Sequence, residues 1–134
     1  MPSGAGPAYG AAFNVTLPAN TTENVLATLP ASNWNNPQGI MILISAMVTG
    51  GASGTFTLRL RQGSGTGGTQ VGPSIPVALT NGPAATINLL MPDTTAFGLA
   101  QNQGQYTLTY QQSANSLGTV NQAVLQLQTV APVQ

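Results

Sequence analysis

Cysteine and histidine are absent from this chain of 134 residues, and lysine is absent as well. Without cysteine there is no disulfide framework, no thiolate metal site and no thiol nucleophile. Without histidine the chain lacks the commonest general base and the commonest transition-metal ligand, and a Ser-His-Asp triad cannot be built. Without lysine there is no isopeptide cross-link. Charge of either sign is also scarce. Glu23, Arg59, Arg61 and Asp93 are the full inventory, 3% of residues, and the formal net charge is zero. An ordinary globular chain carries about 25%.

These shortages exclude functions. Useful affinity for nucleic acid neutralises roughly 6–10 phosphates, which two arginines cannot do, so no nucleic-acid partner is expected. A glycosidase-type carboxylate pair would have to be Glu23 with Asp93, because there are no other acids. The bland reading of that pair is two solvated acids on loops or strand edges. Calcium sites want several carboxylates, and Asp93 with carbonyl oxygens would make only a weak one. No catalytic residue, metal or cofactor is therefore assigned, and the chain reads as non-enzymatic.

Long hydrophobic runs are missing too. The longest, "IMILISAMV" at 40–48, is far short of the ~20 residues that span a bilayer. The opening "MPSGAGPAYGAAF" has no basic residue followed by a continuous apolar run, so it does not read as a signal peptide. It reads as a flexible Gly/Pro/Ala arm over residues 1–10, ahead of a single domain at 11–134. The glycosylation-like triplets at 14–16 and 20–22 read as chance matches without a signal peptide.

Hydrophobic residues are present in ordinary amount, at 42%. Disorder needs low hydrophobicity and high net charge, so a folded domain is favoured. Alternation dominates. Phe56, Leu58 and Leu60 share one face in "TFTLRLR", opposite Thr57, Arg59 and Arg61. Tyr106, Leu108 and Tyr110 point inward in "QYTLTYQ", with Thr107, Thr109 and Gln111 outward. "AFNVTLP" aligns Phe13, Val15 and Leu17, "ATINLLM" aligns Ala85, Ile87, Leu89 and Met91, and "AVLQLQT" aligns Leu125 and Leu127. "TTENVLATL" is the best helical candidate, but its Thr and Val favour a strand that Pro30 closes.

Gly, Pro and Asn clusters separate the runs. Eight strands are expected at roughly 11–17, 23–29, 39–49, 54–62, 69–79, 84–91, 104–112 and 119–130. The fold class is all-β: an eight-stranded antiparallel β-sandwich, jelly-roll-like by preference. An immunoglobulin-like sandwich is second, although its Cys…Trp…Cys spacing has no cysteines here.

"GSGTGG" at 63–68 satisfies the dinucleotide pattern G-x-G-x-x-G, and Thr69 stands where a P-loop has lysine. The dinucleotide pattern needs a helix next, to receive the pyrophosphate. "TQVGPSIPVAL" follows instead, with Pro73 and Pro76. The stretch reads as a hairpin loop.

"TFTLRLRQGSGTGGTQVG" resembles the strand–loop–strand segments of small β-sandwich proteins encoded by tailed bacteriophages. The resemblance covers about 18 residues of the chain, part of them low-complexity. It implies a virion structural protein of the capsid decoration (cement) or minor capsid kind, made in the host cytoplasm and carried on the capsid surface. It further implies oligomerisation and attachment to a major capsid protein or neighbouring virion subunits. It brings no catalytic residues. A homo-oligomer is expected, a closed trimer by preference.

Candidate contact residues follow. Arg59 and Arg61 stand two apart on one strand face, suited to an acidic partner surface or simply a solvated face. The strand at 39–49 is apolar on both sides: Ile40, Ile42, Ile44 and Val48 on one, Met41, Leu43 and Met47 on the other. The second set is either covered within a central strand or an oligomer contact. Trp34, in "ASNWNNPQG", is either an interface residue or a lid on the sandwich end. Tyr9 and Trp34, with Asn/Gln-rich loops, would serve the alternative function, a carbohydrate- or receptor-binding module of a fibre or adhesin.

Overall fold

The computed structural model describes residues 9–34, 40–63, 65–93 and 102–129. Eight strands form: β1 (Tyr9–Thr16), β2 (Asn24–Trp34), β3 (Ile40–Gly50), β4 (Gly54–Gln62), β5 (Thr69–Leu79), β6 (Ala84–Asp93), β7 (Asn102–Gln112) and β8 (Gly118–Thr129). The only helical element among the described residues is one 3-10 turn at Gly65–Gly67. None is long and apolar enough to cross a membrane.

The strands make two antiparallel four-stranded sheets, ordered β1-β8-β3-β6 and β2-β7-β4-β5. Consecutive strands alternate between sheets except at the β4–β5 hairpin. This is the double Greek key of a jelly roll. The inner rows supply the core. Ile42, Ile44, Ala46, Val48 and Leu125 come from one sheet, and Leu29, Phe56, Leu58, Leu60, Tyr106 and Leu108 from the other, all fully or almost fully buried. Phe56 and Tyr110 stack with ring centroids 5.7 Å apart. Both tyrosines of β7 are internal, as their alternation with Leu108 implies.

Two expectations need correction. Pro30 does not close β2, which runs on to Trp34 through a register shift between Leu29 and Ser32. A proline removes one ladder donor, and an edge strand with a bulge tolerates that. β2 is such an edge. Trp34, expected in a loop, is the last residue of this strand and pairs with Asn102. The second correction concerns Phe13, Val15 and Leu17, which do not share a face. Phe13 is 63% exposed while Leu17 is buried. The cause is Asn14, whose φ is 53°. A left-handed residue interrupts the two-residue alternation, so Phe13 points out while Val15 and Leu17 point in. β8 has a matching irregularity, since Met47 pairs with Gln122 and Val48 with Val120, leaving Asn121 as the extra residue. Thr49 Oγ1 donates a 2.6 Å hydrogen bond to the amide oxygen of Asn121.

The two sheets meet along both margins. A Cβ at Gly10 of β1 would overlap the Thr28 carbonyl oxygen of β2, so only glycine permits this approach. At the opposite margin Gly72 of β5, with φ 74°, lies against the Met91 side chain of β6. Of the expected arm at 1–10, Tyr9 and Gly10 pair in β1; residues 1–8 lie outside the described residues.

Candidate functional site: two unlike outer faces

The outer face of β2-β7-β4-β5 holds three of the four charged residues. Arg61 grips Glu23 with two hydrogen bonds, Nε to Oε2 at 2.7 Å and Nη2 to Oε1 at 2.8 Å. Its remaining nitrogen, Nη1, donates to the Gly68 carbonyl oxygen at 2.9 Å. Thr109 Oγ1 donates to Glu23 Oε2. Arg59 lies 4.0 Å from Glu23 and donates to Gln111 Oε1 at 2.8 Å and to Ser74 Oγ at 3.1 Å. The group is part-buried, with side chains 17–22% exposed.

The Arg61 hydrogen bonds, with help from Thr109 and the two positive charges, hold the Glu23 carboxyl below its ordinary range despite partial desolvation. The network also covers β7. Thr107 and Thr109 point outward, as their alternation implies, yet both are fully buried. Thr107 Oγ1 donates to the Gly63 carbonyl oxygen at 2.7 Å, and Gly63 N donates to Gln105 O at 2.6 Å. These bonds and the Arg61–Gly68 bond tie the glycine-rich loop down at both ends. That loop joins β4 to β5 as a hairpin, with the second strand starting at Thr69 and no helix to receive a pyrophosphate.

Beside the network lies an open groove of about 430 Å³, lined by Thr21, Thr55, Thr57, Gln111, Gln112 and Ser113. Much of its polarity is already satisfied. Gln112 Nε2 donates to the Pro18 and Asn20 carbonyl oxygens, its Oε1 accepts from Leu117 N, and Ser113 Oγ accepts from Thr55 N.

The other outer face, on β1-β8-β3-β6, is built differently. Strand register lays its residues in rows. Phe13, Gln122, Met47 and Thr86 form one row, with Phe13 63% and Met47 37% exposed. The next row is Ala11, Val124, Ser45 and Asn88, in which Ser45 Oγ donates to Asn88 Oδ1 at 2.7 Å. The third contains Gln126, Leu43 and Leu90, the last 51% exposed. Half-buried Met41 follows on β3. None of these residues is charged. The chain's fourth charged residue, Asp93, ends β6 of this sheet, whereas Glu23 lies just before β2 of the other.

The structure therefore divides the sequence candidates. Met41, Leu43 and Met47 share one face, as the two-sided pattern of 39–49 implies. Phe13 and Leu90 join them unannounced; the available signal was Asn14, a poor strand former inside a strand. Arg59 and Arg61 lie on the opposite face, engaged with their own chain. Glu23 is their partner, 38 residues from Arg61, and was not singled out from sequence as that partner. Tyr9 pairs with Gln126 at the edge of the Leu43 row. The side chains of Tyr9 and Trp34 lie outside the described residues.

No protein-family model matches the chain, nor does any curated protein. Among solved structures it is similar to dimeric latent PorU from Porphyromonas gingivalis, at 10% identity and a TM-score of 0.39. The likeness covers 93% of this chain and 13% of the PorU chain.

Proposed function

We propose that this chain is a non-enzymatic structural protein of a virus particle, a capsid decoration or minor capsid protein that self-associates and docks on the shell of a tailed bacteriophage. It would be made in the host cytoplasm and end on the capsid surface. One observation carries the reading: an uncharged outer sheet face with Phe13, Met47 and Leu90 exposed in ordered rows. Exposed apolar rows of this kind mark contact surfaces. The chemistry of the opposite face adds support. Glu23, the one acid with a described side chain, is occupied by two arginines and a threonine. The proposed self-association surface is accordingly this sheet face, and not the face of Arg59 and Arg61. The link to a phage particle rests on the resemblance of residues 55–72.

The test is co-sedimentation of the purified chain with shells of the phage that encodes it. Saturable binding at a fixed number of copies per shell is the expected result. A chain left in the supernatant at every concentration overturns the virion reading. The groove beside Thr55 and Thr57 favours a second reading, a module for neutral glycans, since Thr21, Thr55 and Thr57 bring hydroxyls to it and none of its lining residues is charged. Glycan-array binding that is lost in Thr57→Ala, together with failure to bind shells, would select it.

A further inference from the structure

We infer that the β1-β8-β3-β6 face is covered by a second copy of this chain, packed face to face about a two-fold axis that runs across the strands along the Ser45 row. This rests on the self-association part of the reading above and not on the capsid part. It replaces the trimer preferred from sequence with a pair.

The argument starts from the order of the rows. The row with Phe13 and Met47 and the row with Leu43 and Leu90 carry the largest apolar side chains of the face, and they flank a middle row of Ala11, Val124, Ser45 and Asn88. An axis lying in the interface along that middle row exchanges the two flanking rows while keeping each strand opposite itself. Met47 of one copy then covers Leu43 of the other, twice. Gln122 faces Gln126, where side-chain amides pair as donor and acceptor. Ser45, with its hydroxyl already given to Asn88, faces its own copy. The pattern is thus self-complementary, which a two-fold contact requires.

Charge selects the occupant. A partner recognised by ion pairs would need charges on this face, and these rows carry none. The other face carries Glu23, Arg59 and Arg61, already paired within the chain. In a two-fold contact each residue near the axis approaches its own image, so like charges there would repel. A charge-free face escapes that cost.

Area sets the strength. Strands about 4.8 Å apart and a rise of about 3.3 Å per residue make a four-stranded face roughly 19 Å across and about 26 Å from Met41 to Thr49, the residue that the axis sets opposite Met41. Pairing two such faces removes on the order of 800–1,000 Å² from water, at the weak end of specific interfaces. A contact of this size belongs with weak, transient pairs, so it should form and part with protein concentration.

The experiment is sedimentation velocity of the full chain, without shells, over a concentration series. A monomer–dimer equilibrium is expected. Met47→Glu and Leu43→Lys should each weaken dimerisation by more than about tenfold, since a lone charge would be desolvated at the contact. Mixing the two variants should restore a one-to-one heterodimer. Within one chain the two positions are four residues apart on a strand, about 13 Å, so rescue reports contact between copies. Thr57→Glu on the opposite sheet should leave the equilibrium unchanged. A monomer at every concentration, a trimer, or loss of the dimer in Thr57→Glu but not in Met47→Glu overturns the inference. So does failure of the mixed variants to pair. Should either variant not fold, the wild type suffices: a soluble paramagnetic probe should relax the Met47 methyl progressively less as protein concentration rises. Unchanged relaxation is the contrary result. Dimerisation with no shell binding would sink only the capsid reading, and shell binding by a strict monomer only this one.

Discussion

Glu23 is where most of this molecule's electrostatics is concentrated. Both described cations lie within 4.0 Å of it, and no other acid with a described side chain shares the work. Replacing it with glutamine leaves Arg61 part-buried without its counter-charge. The expected loss is about 1.5–3 kcal/mol of unfolding free energy, the range for hydrogen bonds to charged groups, measured by urea denaturation at neutral pH. The pH dependence follows from the direction of the shift. The carboxyl titrates lower in the folded chain than its ordinary value of 4.5 because Arg61 and Thr109 hydrogen-bond its ionised form. Its contribution is complete above the unfolded-state value and is lost as pH falls through the lowered folded-state value. The wild type should therefore weaken on the acid side of about pH 4.5, and Glu23→Gln should flatten that decline. An equally steep decline in the variant would place the effect elsewhere.

At the scale of the strand, Asn14 decides which side chains β1 offers. Its φ of 53° costs a β-branched residue about 1–2 kcal/mol more than it costs asparagine or glycine. Asn14→Val should lower the thermal unfolding midpoint and Asn14→Gly should leave it nearly unchanged, as calorimetry would show. The same residue marks how far the sequence could be read. Strand positions and the eight-stranded sandwich follow from alternation and turn residues, because a half-buried strand writes its period directly into the chain. The inward sets of β3, β4 and β7 are legible for the same reason. Phe13 is not, since one left-handed residue reverses the face without changing the hydrophobic pattern. Pro30 misleads because a proline stops a central strand but only bulges an edge strand. The Glu23–Arg61 pair was illegible because it depends on which strands become neighbours. β2 and β4 flank β7, and alternation says nothing about that order.

For the molecule as a whole, scarcity of charge makes a measurable statement. Long-range electrostatics is screened beyond about 10 Å at ordinary salt, but here the described charges form one compact group. Raising salt from low concentration to about 1 M should therefore change the dimerisation constant by less than about threefold. Sedimentation at the two salt concentrations checks this. A steep weakening with salt would mean that charged surfaces, and not the Met47 and Leu43 rows, hold the copies together.

The placement of proline has a further result. Pro30 lies in β2, Pro73 and Pro76 in β5, and Pro92 in β6, three of the four strands at sheet margins, while β1 is backed against β2 at Gly10. A colloid with no net charge has no mutual repulsion to keep its particles apart, and crowding should drive it toward a gel or thread. Strand addition, the usual route to a thread, needs a long bare margin with a donor at every second residue. Proline on an edge strand is one of the devices that interrupt such a margin. These prolines stand where other proteins place charge, on the margins that a further strand would need.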